Sequence, residues 1–179
     1  MQLKTFLTKK DSQYNLDIQN NFMKKKIVSH IKNRGFDKKE AYEAITGILI
    51  ELEKIDNLNF GTWYKLGNSL KEALEKKVEV SKNEIEKNIT TSNNDLPDIS
   101  TYDLSLWNGN SESKRQGGIS FRIKKSQKSQ TPSSFVYSTP LTEEYQKQLD
   151  KNLNKIIDVI VKYLNPDFIK YGDEIVWEK

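Results

Sequence analysis

Apolar and polar side chains alternate over residues 102–107, and this period of two is typical of a β-strand. One set is Tyr102, Leu104 and Leu106, and the other is Asp103, Ser105 and Trp107. Asn108 and Gly109 tolerate positive φ, so a turn is predicted directly after the strand. Two interpretations of Trp107 stay open at this point. It packs as core beneath the charged loop that follows, or it stands on the polar face because a partner binds there.

The same alternation predicts further strands. The clearest covers residues 119–124, and others cover residues 25–32, 135–138 and 168–177. Residues 2–8 are expected to form a short strand or an arm. Polar loops separate the successive strands after residue 100, which favours an antiparallel meander.

Apolar residues spaced three and four apart predict two long helices, from Asp37 to Lys54 and from Thr142 to Leu164. Asp37 is followed three residues later by Glu40, as in a capping box. Gly47 inside the first helix costs about 1 kcal/mol relative to Ala, which a close packing contact would explain. Shorter helices are expected from Ser69 to Leu74 and from Ser81 to Thr90, with a loop over residues 91–100. The segment 59–66 is expected to plug the end of the first helix through Phe60, Trp63 and Leu66.

Each long helix carries one apolar stripe and therefore needs a sheet face to cover it. The predicted fold class is α+β, with an antiparallel sheet packed against two long helices in a single domain. A chain of 179 residues suits one domain with a substantial core. Residues 1–24 are expected to form an N-terminal arm or an extra strand, and residues 25–179 the α+β domain.

Composition excludes several classes of protein. The chain has no cysteine and a single histidine, His30, which argues against disulfides and thiolate metal sites, and we expect no metal or other cofactor. No run of about 18 apolar residues predicts a membrane span. The first ten residues lack the apolar region of a signal peptide. We therefore expect a cytoplasmic protein with no membrane partner.

Catalytic constellations are scarce. His30 lies in a basic strand without a neighbouring acid, so a catalytic triad is not supported. Gly117 and Gly118 precede a strand rather than a helix, and no phosphate-binding glycine motif is present. Paired acids such as Glu143 and Glu144 stand near lysines and are interpreted as solvated charge. We expect a binding protein without enzymatic activity.

Charge is distributed unevenly, although the formal net charge is only +4. Residues 113–140 contain six Lys or Arg and no acid, while residues 41–112 contain seven basic and thirteen acidic residues. The basic segment 113–140 supports an alternative function as a nucleic-acid-binding module. Arg122 and Lys124 alternate with Phe121, however, so charge and stacking would lie on opposite faces. Nucleic acid is therefore not the partner that we prefer.

Several short stretches occur in an order that resembles a known family. They are Arg34, residues 52–56 (LEKID), residues 63–69 (WYKLGNS), residues 72–74 (EAL), residues 104–109 (LSLWNG) and residues 165–168 (NPDF). In this order they resemble the immunity protein 52 family of bacterial polymorphic toxin systems, over about residues 27–168. The resemblance implies an α+β fold and neutralisation of a cognate toxin. It also implies that the toxin is a nuclease with a restriction-endonuclease-type fold.

An inhibitor of such a nuclease would gain from carboxylates that face the lysines of the nuclease active site. The candidate interface residues are Trp107, Asn108 and Asp103, with Asp56, Glu72 and Glu75 nearby. Trp107 is included because tryptophan is enriched at binding hot spots. The sequence leaves the oligomeric state open.

Overall fold

A computed structural model of the chain describes residues 22–32, 34–55, 58, 62–93, 100–111, 116–126, 132–140 and 142–176. Its elements follow in chain order: β1 (Phe22–Ile31), α1 (Lys38–Glu53), β2 (Trp63–Lys65), α2 (Leu70–Glu75), β3 (Lys77–Val78), α3 (Lys82–Asn88), β4 (Thr90–Asn93), β5 (Ser100–Trp107), β6 (Gly118–Lys124), β7 (Ser133–Ser138), α4 (Glu143–Leu164) and β8 (Phe168–Val176).

The described strands form one antiparallel sheet of eight strands in the order β3-β2-β5-β6-β7-β1-β8, with β4 also paired to β5. β2 pairs with the carboxyl-terminal end of β5, and β4 pairs with its amino-terminal end. The prediction of an α+β fold with an antiparallel sheet is confirmed. The expected loop over residues 91–100 is wrong in part, because residues 90–93 belong to β4. The polar Thr-Thr-Ser-Asn sequence of β4 has no apolar alternation that would signal a strand.

One face of the sheet is covered by helices, and the hydrophobic core lies between them. Leu104, Phe121, Phe135 and Ile27 project into this core from four neighbouring strands, and each is at most 1% exposed. Buried residues of α1 and α4 belong to the same cluster. The alternate residues of those strands lie on the opposite face, which no described helix covers. We call that side the open face.

Helix α1 begins where the sequence predicts, at a capping box. The Asp37 carboxylate accepts a hydrogen bond from the Glu40 amide at 2.8 Å, and the Glu40 carboxylate accepts one from the Asp37 amide at 3.0 Å. Gly47 lies against Tyr163 of α4, where an added Cβ would stand 2.2 Å from the ring. The close contact expected at Gly47 is therefore confirmed.

The two predicted long helices differ in length. α1 has 16 residues and α4 has 22, so the structure has one long helix and the prediction of two is not confirmed. Thr142 occupies the N-cap position of α4, but its side chain makes no capping hydrogen bond. α4 ends at Asn165, which adopts a left-handed conformation with φ of 42° before Pro166.

Two carboxylate clusters attach α4 to its neighbours. Glu51 of α1 accepts hydrogen bonds from the Lys162 ammonium and, at 2.7 Å, from the Tyr163 hydroxyl. Asp150 of α4 accepts hydrogen bonds from Lys25 of β1 and Tyr171 of β8. These side chains fix the long helix against the rest of the core.

Some expectations fall outside the described residues. They concern the strand or arm over residues 2–8 and most of residues 1–24, of which only residues 22–24 are described, within β1. They also concern Asp56, Phe60, Lys114, Arg115, Lys128 and Trp177.

Candidate interaction site

The last residues of β5 carry the principal sequence candidate, Trp107. Tyr102, Leu104 and Leu106 are buried in the core, whereas Asp103, Ser105 and Trp107 lie on the open face. The predicted alternation of β5 is therefore confirmed. Trp107 is half-buried and stands directly opposite Tyr64 of β2 in the strand ladder.

Trp107 is held by contacts from β2 and from the turn that follows it. The indole Nε1–H donates to the Lys65 carbonyl at 3.2 Å, and the Tyr64 and Trp107 ring centroids are 6.2 Å apart. Gly109 has φ of 73°, which confirms a positive-φ turn, and an added Cβ there would stand 2.3 Å from the Tyr64 ring. Only glycine combines this φ with this close approach at low cost. The turn, Tyr64 and Trp107 therefore form one packed unit.

A groove of about 560 Å³ opens beside Trp107. Its floor includes Gly118 and Ser138 of the open face, one wall is formed by Leu66, Leu70 and Ala73, and Lys24 lies at its margin. Leu66, Leu70 and Leu74 are 66%, 49% and 43% exposed, which is unusual for leucine side chains that lie close together. We call Leu66, Leu70, Leu74 and Trp107 the groove patch. An exposed apolar cluster of this kind marks an interaction surface.

Leu66, Leu70 and Leu74 are the members that the sequence analysis missed. Leu66 was expected to plug the end of α1, but it is exposed, and only its neighbour Trp63 is buried, at 2% exposure. Helix α2 has six residues and buries only Ala73 among them. The available signal was the spacing 66–70–74, which places three leucines in a short segment with too few other apolar residues to form a buried stripe.

Glu72 and Glu75 belong to α2, the helix that forms a wall of the groove. Glu72 accepts a hydrogen bond from the Asn68 amide at 2.8 Å and pairs with Lys76. The Lys76 hydrogen bond, followed by the Asn68 amide, holds the pKa of the Glu72 carboxyl below its usual range. Glu75 is exposed. The structure thus brings the Trp107 strand end and the acidic helix together.

Asp103 and Asn108 lie elsewhere. Asp103 is four residues before Trp107 on the same face, about 13 Å along the strand. Its carboxylate accepts hydrogen bonds from Arg122 Nε at 2.9 Å and Thr101 Oγ1 at 2.7 Å. Asn108 lines a separate cavity of about 330 Å³ with Thr142, Glu144 and Tyr145. Asp56 is outside the described residues, so the six candidates do not form one cluster.

The basic segment 113–140 contains one lysine, Lys124, that is buried rather than solvated. Lys124 is only 6% exposed. Burial, and after it the charge of Arg122, lowers the pKa of the Lys124 ammonium. Phe121 and Tyr137 are buried in the core on the other face, as the alternation predicts. Arg122 is exposed and paired with Asp103.

The Asp167 amide donates a hydrogen bond to the His30 carbonyl at 3.0 Å, but the buried His30 Nδ1 atom has no hydrogen-bond partner among the described residues. The His30 ring stacks on Phe168, with the centroids 4.8 Å apart. Burial, followed by the charges of Lys170 and Lys32, lowers the pKa of the His30 imidazole. In the part of the chain that the structure describes, no group of three side chains is arranged to hold a metal ion. None of the helices described there has the length and apolar character that a membrane span requires.

These features define an α+β protein whose antiparallel sheet leaves one face open, with an apolar groove at one end. Comparison with models of known protein families gives no match for this chain, and comparison with curated proteins gives none. The resemblance to the immunity protein 52 family therefore rests on the motif residues themselves.

Proposed function

We propose that this protein is a toxin-neutralising immunity protein that acts by binding, without enzymatic activity of its own. The observation that carries the proposal is the groove patch, in which Trp107, Leu66 and Leu70 line an open groove and the exposed Leu74 lies on the same short helix as Leu70. Apolar side chains that are exposed in the free protein and central in a complex contribute most of the affinity of an interface.

The position of the motif residues gives a second line of support. Residues 63–69 and 104–109 lie far apart in the sequence, yet Tyr64 pairs with Trp107 and Lys65 pairs with Leu106. The Trp107 indole also donates to the Lys65 carbonyl. Two stretches that carry the resemblance to the immunity protein family thus meet at the groove patch, which favours a common role in binding.

The proposed partner is a cognate toxin with a nuclease domain of the restriction-endonuclease type. An apolar segment of the toxin would enter the groove, and the exposed Glu75 of α2 would face basic residues around the nuclease active site. Occupation of that site by the inhibitor would exclude nucleic acid from it. We further propose a single domain, because one core cluster contains residues of β1, α1, the central strands and α4.

Coexpression with the toxin encoded beside this protein tests the proposal. The wild-type protein should restore growth and co-purify with the toxin, and failure of both would refute the immunity function. Leu70→Glu should weaken the complex by about 2 kcal/mol or more, roughly thirtyfold, because it places a charge in the groove patch. Val161→Glu is the matched control, since Val161 is 44% exposed on α4 and Leu70 is 49% exposed. Equal loss with both variants would remove the groove patch as the interface.

A further inference from the structure

The open face carries a second surface, which shares Trp107 with the groove patch and adjoins the groove at Gly118 and Ser138, but which is basic rather than apolar. Serine and glycine occupy many of its positions, namely Ser105, Ser120, Ser134, Ser138 and Gly118, and Val136 and Val28 follow Ser120 in the ladder. From β8 to β5 the face crosses five strands, a width of about 19 Å at the usual strand spacing. It therefore forms a broad platform.

Basic residues from three strands, β1 with its carboxyl-terminal end, β6 and β8, gather on this platform. They are Lys24, Lys26, Lys32, Arg122, Lys124 and Lys170, which lie far apart in the sequence. Acids also lie on this face. Asp103 pairs with Arg122, and Asp167 accepts a hydrogen bond from the Lys32 amide at the edge. Among the side chains of this face that the structure describes, basic residues outnumber acidic ones.

The charges of these cations also act on two groups of the face, His30 and Lys124. The charges of Lys170 and Lys32 contribute to the lowered pKa of His30, and the charge of Arg122 contributes to the lowered pKa of Lys124, in each case after burial. A folded surface retains such repulsion at a cost in stability, and a bound anion would relieve it.

Aromatic rings share the face with these cations. In the ladder, Lys26 stands opposite Ser138, Ser138 opposite Gly118, Gly118 opposite Trp107, and Trp107 opposite Tyr64. At the other end, Phe168 lies between Lys32 and Lys170, whose Nζ atoms are 5.1 and 5.7 Å from its ring centroid. The sequence pattern predicted charged and aromatic side chains on opposite faces of the sheet, because that prediction concerned the core aromatic residues and not Trp107, Tyr64 or Phe168.

We propose that the open face binds single-stranded nucleic acid, with Lys26, Arg122 and Lys170 contacting phosphates and the aromatic rings at the two ends stacking on bases. Proteins that bind single strands combine a positive surface that follows the backbone with aromatic rings that accept any base. The serine hydroxyls supply further donors for phosphate oxygens. A duplex presents its bases only at groove edges and could not use the stacking positions.

The test uses the full-length protein and a fluorescently labelled single-stranded oligonucleotide of mixed sequence, titrated from about 50 to 200 mM salt. Binding should be strongest at low salt. The double variant Lys26→Gln with Lys170→Gln should bind about tenfold more weakly. It should also reduce the slope of log affinity against log salt by about 1.4, since each phosphate contact on a single strand contributes about 0.7.

Lys151→Gln with Lys155→Gln is the matched control, because it removes the same charge from exposed positions on α4, on the covered side of the sheet. This control should keep the wild-type affinity and slope, and thermal melting should show that both double variants remain folded. Arg122→Gln gives a second variant on the open face, with an expected slope change of about 0.7.

Several outcomes would overturn the proposal. They are absence of binding at the lowest salt, equal losses in the α4 control, and a duplex that binds as tightly as the single strand. Polyglutamate that displaces the oligonucleotide at equal charge concentration would also overturn it in favour of an acidic protein partner. None of these results depends on toxin neutralisation, because the groove variant Leu70→Glu leaves all the cations of the open face in place.

Discussion

The two faces of the sheet are built from the same strands, yet different requirements determine their composition. On the covered face, Leu104, Phe121, Phe135 and Ile27 are buried against the helices, and packing restricts which residues fit there. On the open face, the neighbouring positions hold serine, lysine, arginine and aspartate, with two valines, Val28 and Val136. Since neither α1 nor α4 packs on that face, core packing restricts its composition less. The residues of the open face are therefore more informative about binding than those of the core.

The largest expected effect contrasts two adjacent residues of β6. Phe121 is fully buried, with its ring centroid 5.0 Å from that of Phe135, so Phe121→Ala should lower the free energy of unfolding by about 3–5 kcal/mol. Ser120 lies on the open face and shares a 2.9 Å hydrogen bond with Ser105, so Ser120→Ala should cost less than about 1 kcal/mol. Urea denaturation followed by circular dichroism measures both. Similar losses would mean that the open face is as tightly packed as the core.

The end of β5 offers the same contrast between a core residue, Leu106, and a residue of the open face, Trp107. Leu106 is 3% exposed, and Leu106→Ala should reduce stability by about 2–5 kcal/mol. Trp107→Ala should leave the protein folded and reduce toxin affinity by about 2 kcal/mol or more. Calorimetric titration with the toxin domain and thermal melting separate the two effects. A stability loss of about 3–5 kcal/mol in Trp107→Ala would instead make the indole part of the core, and a fully stable, fully neutralising variant would refute both roles.

Local patterns predicted which face each strand residue occupies, but they could not predict which strands become neighbours. Alternation correctly separated Leu106 from Trp107 and Phe121 from Arg122. Pairing of Tyr64 with Trp107 depends on long-range register, which the sequence pattern of a single strand does not determine. The groove and the grouping of cations on the open face both arise from such pairings, so they became visible only in the structure.

The short elements show a second limit of sequence-based prediction. The long apolar stripes of α1 and α4 were predicted to within a residue or two at each end, because many periodic positions support each other. β4 has four polar residues and α2 six residues, so neither contains enough positions to establish a period. The exposed leucines of the groove patch lie in or beside α2, which is why the candidate site was predicted only in part.

A smaller effect concerns charge on the covered side. The pKa of the Glu51 carboxyl is held below its usual range, first by the hydrogen bond from Lys162 and then by that from Tyr163. A carboxyl whose folded pKa is depressed adds stability above its unfolded pKa, and that stability is lost as the pH falls through the folded pKa. Wild type should therefore be more stable than Glu51→Gln at neutral pH, and the difference should vanish in acid.

Urea denaturation of both proteins from neutral pH to below the ordinary carboxyl range, about 4, measures this difference. Glu143→Gln serves as the control, since Glu143 pairs with Lys147 within α4 and joins no two elements. A difference between wild type and Glu51→Gln that persists unchanged at low pH would show that the contribution of Glu51 does not depend on its charge.

The smallest expected effect lies on the open face, at the ion pair between Asp103 and Arg122. The Arg122 side chain is 65% exposed, so the pair is screened by solvent, and Asp103→Asn should change stability by at most about 1 kcal/mol. This change should shrink as salt is raised.

The same substitution, Asp103→Asn, removes an acid from beside the cations of the open face and should strengthen oligonucleotide binding. Urea denaturation and oligonucleotide titration would therefore move in opposite directions. A stability loss above about 2 kcal/mol, without any gain in binding, would indicate that Asp103 holds the strands together and that the face has no affinity for phosphate.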